Sequence, residues 1–107
     1  MRERRAHRRV PLKGGARLTT RTGPIFGRCR NVSAGGLAVS VPNSLAVGDV
    51  VDIDFDVLGS RIHSTAEVVR LSGDEIAVRF LHLEQVALFS LMTYVGTFRE
   101  PPRRYPS

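Results

Sequence analysis

The segment Val50–Val57 restricts the fold of this chain more than any other part of it. It reads VVDIDFDV, so that Val51, Ile53, Phe55 and Val57 alternate with three aspartates. Successive side chains of a β-strand point to opposite faces of the sheet. The alternation therefore predicts a strand that is buried on one face and solvated on the other.

Five further segments are predicted as short strands, because they are apolar or alternating and are bounded by Gly, Pro, Asn and Ser. They are Ala16–Thr20, Ile25–Val32, Leu37–Val41, Arg61–Leu71 and Glu75–Leu81. Turns are expected at Leu58–Ser60 and at 72–74. Six short strands at this spacing predict an all-β fold, a small antiparallel barrel or sandwich, and closure of the sheet would remove its exposed edges.

A C-terminal helix is predicted over Leu83–Phe98, which has no Gly or Pro before Gly96. Its apolar residues recur at helical spacing and fill roughly half of the circumference, more than the ~100° that a surface helix buries. They are Leu83, Ala87, Leu88, Leu91, Met92, Tyr94, Val95 and Phe98. Val86 and Phe89 fall outside this arc and are expected to be exposed in a monomer, unless a loop covers Phe89. The helix is expected to plug or cover one mouth of the barrel.

The positive charge of the chain is concentrated at its two ends. Residues 1–9 carry five arginines and one glutamate, and residues 99–107 carry three arginines and one glutamate, whereas 10–98 are neutral. A basic arm on a neutral body indicates an anionic partner, the alternative being a solvated terminus. The 107 residues fit one domain, and no apolar run could cross a bilayer or act as a signal peptide. We therefore expect a cytoplasmic protein without membrane insertion.

No pattern typical of catalysis or metal binding is found in the sequence. It has no GxSxG, HExxH or P-loop motif, and its single cysteine, Cys29, excludes an internal disulfide and a multi-cysteine zinc site. Two flanking arginines could lower the pKa of this thiol, but an inert cysteine is expected. The stripe of Asp52, Asp54 and Asp56 is interpreted as a solvated face, since nothing is placed to complete a metal shell. We expect no enzymatic activity, no metal and no cofactor.

Two short motifs carry the functional signal. The first is the basic run RRAHRRVP, in which Arg5 and Arg9 are four residues apart. The second is NVSAGG, which places Asn31, Ser33 and Gly36 between two predicted strands. In this combination and order they resemble the RxxxR and (D/N)xSxxG motifs of the PilZ domain family. The six predicted strands and the final helix agree with that family over nearly the whole chain.

The resemblance implies a six-stranded antiparallel PilZ-type β-barrel with a C-terminal α-helix that binds cyclic di-GMP, a bacterial second messenger. It divides the chain into a basic ligand-binding arm (1–12), the barrel with its helix (13–98) and a flexible tail (99–107). The implied ligand-binding residues are Arg4, Arg5, Arg9, Asn31, Ser33, Gly35 and Gly36. Guanidinium groups suit phosphate oxygens and the guanine O6 and N7 atoms, and amide and hydroxyl groups supply further polar contacts.

The same resemblance implies a mode of signalling. The arm would fold over the ligand, and Arg4 is associated in the family with gripping a stacked cyclic di-GMP dimer. The register Arg4 and Arg8 is a second alignment of the motif, but Arg9 matches the family's entry into the first strand. Since no effector domain is recognised in the chain, the output is expected to pass to an unidentified protein effector, or to a second copy in a homodimer, through the C-terminal helix.

Two other functions stay open. One is a nucleic-acid-binding small β-barrel that uses the arginine arm, although most phenylalanines fall on predicted core faces and leave no stacking platform. The other is a PilZ-fold interaction module that binds no ligand.

Overall fold

The computed structural model describes residues 8–42 and 45–99 of the chain. Within them, seven strands are followed by one helix. The elements are β1 (Val10–Pro11), β2 (Gly15–Thr20), β3 (Gly23–Val32), β4 (Gly36–Ser40), β5 (Val50–Val57), β6 (Ser60–Ser72), β7 (Glu75–His82) and α1 (Gln85–Thr97).

Strands β2 to β7 form a closed antiparallel barrel. The order of the sheet is β1-β3-β2-β5-β6-β7-β4, and a further pairing between β3 and β4 closes it. The first half of the long strand β3 pairs with β2, and its last residues pair with β4. The predicted six-stranded antiparallel barrel with a C-terminal helix is therefore confirmed.

The short strand β1 is an addition to these six strands. It pairs with the end of β3, with Val10 opposite Val32 and Pro11 opposite Asn31. Val10 and Leu12 are buried in the core, at 2% and 7% exposure. Two residues of the segment 1–12 thus pack into the core of the barrel, because burial of their apolar side chains lowers the free energy of the fold.

Strand β5 has the predicted two-sided character. Val51, Ile53, Phe55 and Val57 are buried at its core face, whereas Val50 is exposed and the aspartates line the outside. Outside the barrel, Asp54 accepts from His63 and lies 3.6 Å from Arg17, while Asp56 accepts from Arg61 at 2.7 Å. The aspartate stripe is therefore a ladder of cross-strand polar pairs on the outer face of the barrel. Among residues 8–42 and 45–99, no group of three His, Cys, Asp or Glu side chains could hold a metal ion.

Helix α1 lies against the barrel through one fully buried residue, Leu91. Partly buried residues on either side of it complete the contact, namely Ala87, Tyr94, Val95 and Phe98. Met92 is 57% exposed, in agreement with a predicted apolar arc that is wider than the buried face of the helix. A single helix on a barrel buries only the stripe beneath it, and Met92 lies beyond that stripe. In the described part of the chain, no helix has the length and apolar character needed to cross a membrane.

The thiol of Cys29 points into the barrel wall. It is 5% exposed and donates weakly to the carbonyl oxygen of Gly15 at 3.8 Å. Burial raises the pKa of Cys29 to about 11, with a smaller contribution from the negative charge of Asp56. The side chains of the flanking arginines leave the opposite face of β3, and the raised pKa agrees with the inert cysteine that the sequence predicts.

Candidate functional site

The pairing of β1 with the end of β3 brings the two motifs together. Arg9 immediately precedes Val10, whose partner Val32 follows Asn31. The guanidinium Nη1 of Arg9 donates to Oδ1 of Asn31 at 2.6 Å in a partly buried hydrogen bond. Arg9 has further interactions besides this one. A residue of the RxxxR motif is therefore in direct contact with a residue of the NxSxxG motif.

Ser33 shapes the turn between β3 and β4. Its backbone N–H donates to the carbonyl of Gly36 at 2.9 Å, and its Oγ accepts from the N–H groups of Gly35 and Gly36 at 3.1 and 3.2 Å. The residue is 4% exposed. A hydroxyl has two acceptor sites and one donor. Both acceptor sites are used by the turn, so the Ser33 hydroxyl can still donate its proton to a ligand.

Gly36 is required by the close approach of two strands. A Cβ atom at this position would lie 2.2 Å from the carbonyl oxygen of Val78 on β7. The neighbouring Gly35 accepts from the N–H of Phe80 on the same strand at 2.9 Å. The backbone φ of Gly36 is not in the left-handed region. The glycine therefore lets β4 close on β7, which fixes the turn that carries Ser33.

The C-terminal end of α1 contacts the N-terminal segment. Arg8 donates from Nη1 to the carbonyl oxygen of Val95 at 2.9 Å, and the phenol of Tyr94 donates to the carbonyl oxygen of Pro11 at 2.6 Å. The last carbonyls of a helix lack partners within it and attract cations. The last turn of α1 contains no basic residue of its own. Arg8 supplies this cation from the other end of the chain.

These helix contacts were not predicted from the sequence. Arg8 was considered only in the second alignment of the RxxxR motif, and Tyr94 only as one of the apolar residues of the helix. The residues of each contact are more than eighty positions apart, so no local pattern links them.

The described site residues form one patch of hydrogen-bond donors. Arg9, Asn31, Ser33, Gly35 and Gly36 lie along β1, the end of β3 and the following turn. Arg4 and Arg5 lie outside the described residues. The patch offers a guanidinium, an amide and a hydroxyl proton, which suits a ligand with phosphate oxygens and the acceptor edge of a base.

The fold of this chain is similar to that of several solved structures. The PilZ domain of CeSA from a cellulose-synthesizing bacterium is 22% identical, with a TM-score of 0.64, and the match covers 83% of this chain and 95% of that one. The Bacillus subtilis inhibitor of motility MotI/DgrA is 18% identical, with a TM-score of 0.76 and coverages of 88% and 50%. Escherichia coli YcgR in complex with c-di-GMP is 16% identical, with a TM-score of 0.74 and coverages of 89% and 46%. This chain thus spans about half of the latter two proteins.

No curated protein sequence matches the chain significantly. The family model described as "PilZ domain", however, matches residues 3–95. This match includes both motifs, the complete barrel and nearly all of the helix. The chain therefore belongs to the PilZ domain family.

Proposed function

We propose that this protein is a cytoplasmic cyclic di-GMP receptor that acts as an adaptor and catalyses no reaction. The observation that carries the proposal is the contact of Arg9 with Asn31, which joins the two motifs of the family at one end of the barrel. The co-crystallised ligand of the structurally similar YcgR is c-di-GMP, which gives the same ligand chemistry.

Each site residue has a role in this proposal. Arg5 and Arg9 grip the phosphates and the O6 and N7 acceptors of guanine, and Arg4 extends the grip to a second, stacked ligand. Asn31 contacts a guanine edge, and Ser33 donates its remaining proton. Gly35 and Gly36 hold the turn in place and leave room beside it for the ligand.

Ligand binding is proposed to close the basic arm over this patch. In the free protein Oδ1 of Asn31 is occupied by Arg9. A guanine N–H can bind the second acceptor site of this oxygen, and Arg9 is proposed to turn toward the ligand beside it. Because Val10 is buried, the closing movement is confined to the residues before it, and the arm within 1–12 hinges where β1 begins. The barrel and helix (13–98) stay rigid, and the tail (99–107) takes no part.

The signal is proposed to leave through α1. Val86, Phe89 and Met92 follow each other at helical spacing and are 76%, 71% and 57% exposed. We call these three residues the apolar stripe. Neighbouring exposed apolar side chains are common where a protein meets a partner. The proposed partner is a protein effector or, in a homodimer, a second copy of the chain.

Titration calorimetry with cyclic di-GMP, with GTP as the competing ligand, tests the proposed function. Arg5→Ala and Arg9→Ala should each weaken cyclic di-GMP binding by about 1–3 kcal/mol. Arg70→Ala is the matched control, since Arg70 is exposed on β6 away from the patch. Arg9→Ala should also lower the free energy of unfolding by about 1 kcal/mol, because it breaks the bond to Asn31.

Wild-type affinity in both arginine variants would reject the site. Equal affinity for GTP and cyclic di-GMP, or no binding of either, would contradict the proposed function as a cyclic di-GMP receptor. Hydrogen exchange tests closure separately: protection should increase over residues 2–9 and around 31–36 on ligand binding, and an arm that exchanges freely at saturation would contradict it.

A further inference from the structure

The outer face of β3 carries an exposed aromatic ring between basic side chains. Residues 24, 26, 28 and 30 all point to solvent along this strand. Phe26 is 66% exposed, whereas the sequence pattern places most phenylalanines in the core. Arg28 and Arg30 follow it on the same face. We call Phe26, Arg28 and Arg30 the β3 stripe.

The arginines around Phe26 are weakly engaged. Arg17 on β2 lies directly opposite Phe26 in the strand pairing, and its nearest carboxylate oxygen, on Asp54, is 3.6 Å away. Arg30 meets Glu75 only at 3.9 Å. The side chain of Arg28 makes no hydrogen bond and no ion pair with any residue in the described ranges. Exposed pairs at such distances stabilise little, so these guanidinium groups can turn to another anion.

A shallow groove of about 680 Å³ runs beside the β3 stripe. Much of its floor is glycine, from Gly14, Gly15 and Gly27, so no side chain covers the ring of Phe26 on this side. Asp74 is the acidic residue on its rim. The groove is therefore open, flat at its base and lined by a ring and guanidinium groups.

The ring of Phe26 and the groove lie away from the proposed cyclic di-GMP patch, although Arg30 at the other end of the β3 stripe precedes Asn31 directly. Phe26 precedes Ser33 by seven residues of extended chain, which corresponds to about 23 Å. The groove reaches Ser40 and Val41 at the far end of β4, whereas the patch lies at its beginning.

We propose that the β3 stripe binds single-stranded nucleic acid. A base stacks on the exposed face of Phe26, while Arg28, Arg30 and Arg17 contact phosphates of the same strand. Stacking on an aromatic side chain needs only one free ring face, and a guanidinium binds phosphate oxygens in a fork. Arg28 and Arg30 are two residues apart on an extended strand, about 6.6 Å along it, so they can meet neighbouring phosphates. This inference does not depend on cyclic di-GMP binding.

Two competing occupants fit the observations less well. A protein anchor side chain needs an enclosing pocket to bind strongly, and the ring of Phe26 stands free with glycine and arginine around it. A mononucleotide would obtain one stacked base and no row of phosphates. A strand uses the ring and several arginines together, as open stacking surfaces with basic grooves do.

Fluorescence anisotropy of a labelled single-stranded oligonucleotide of about 12 residues, titrated with the whole chain at several salt concentrations, tests the proposal. Phe26→Ala should weaken binding at least about fivefold. Arg28→Ala should reduce the slope of log K against log salt by about 0.7, the share of one phosphate contact. Phe89→Ala and Arg70→Ala are the controls, as they remove an equally exposed ring and an equal charge elsewhere; both should bind as the wild type does.

The proposal is overturned if Phe26→Ala binds as tightly as Phe89→Ala, because the arm arginines alone would then explain the binding. It is also overturned if Arg28→Ala and Arg70→Ala have the same salt slope, if the oligonucleotide does not bind at low salt, or if poly-glutamate displaces it at equal charge concentration. Phe26→Ala should keep wild-type affinity for cyclic di-GMP, so the two proposals fail independently.

Discussion

Replacement of Gly36 by alanine should lower the free energy of unfolding more than a substitution at any exposed residue of the chain does. The new Cβ would lie 2.2 Å from the carbonyl oxygen of Val78, where an ordinary contact is at least 3.4 Å. Strands β4 and β7 would have to separate by about 1.2 Å at this point. The atom in the way belongs to the backbone, so no rotamer change relieves the contact.

The expected cost follows from two effects. Overpacking of a close-packed site costs about 1–3 kcal/mol. The separation also strains the hydrogen bonds from Phe80 to Gly35 and from Ser33 to Gly36, each of which contributes about 1 kcal/mol. Together they lower the free energy of unfolding by about 3–5 kcal/mol. In a domain of this size, each kcal/mol lowers Tm by about 4–8 °C, so Tm should decrease by at least about 12 °C.

Thermal unfolding followed by circular dichroism gives the measurement, with Gly15→Ala as the matched control. Gly15 also begins a strand, but a Cβ there would meet its nearest atom, the carbonyl oxygen of Gly27, at an ordinary 3.6 Å. The Tm of the Gly15→Ala variant should change by a few degrees at most. Equal Tm values for the two variants would refute the argument from close approach. A Gly36→Ala protein of wild-type stability that no longer binds ligand would give this glycine a role in binding alone.

Three further predictions concern single residues. Asn31→Ala should reduce cyclic di-GMP affinity by about 1–2 kcal/mol, while Asn31→Asp should keep or raise it; calorimetry giving the opposite order would contradict the role of this amide. Phe89→Ser should leave Tm and ligand affinity unchanged but weaken dimer or effector contact in sedimentation or pull-down assays, and an unfolded variant would show that the ring is structural. Burial raises the pKa of Cys29 from 9.0 to about 11, so the unfolded thiol loses its proton first and the free energy of unfolding should decrease as pH rises from 9.0 to about 11. Denaturant titrations should show a smaller decrease for Cys29→Ala, and the same pH dependence in both proteins would contradict it.

The strands were predictable where the pattern is local. The alternation of Val50–Val57 is reproduced by its burial, residue by residue. The turn after it was predictable from Gly59, although Leu58 also adopts a positive φ of 52°, which a leucine rarely does. Strand β1 was not predictable, because two residues that include a proline have no periodicity; only its partner, the end of β3, makes it a strand.

The candidate site was predictable as a set of residues but not as a set of bonds. The two motifs identify Arg9 and Asn31, and the structure places them 2.6 Å apart. The use of the Ser33 acceptor sites by its own turn is a local effect that competes with ligand binding. The exposure of Phe26 was not predictable, because glycine and cysteine occupy the inner face of β3 and interrupt the alternation of apolar and polar residues.

The bonds from Arg8 to Val95 and from Tyr94 to Pro11 hold the beginning and the end of the described chain side by side. Neighbouring ends allow a fold to be cut elsewhere and rejoined, since the order of the strands in space does not depend on where the chain starts. The hairpin turn at Gly73 joins β6 to β7 and carries no site residue. A circular permutant that starts there, with residue 107 joined to residue 1, would keep every strand pairing of the barrel. In such a protein the basic arm would lie within a loop fixed at both ends, which restricts the conformations that it can lose on binding a ligand.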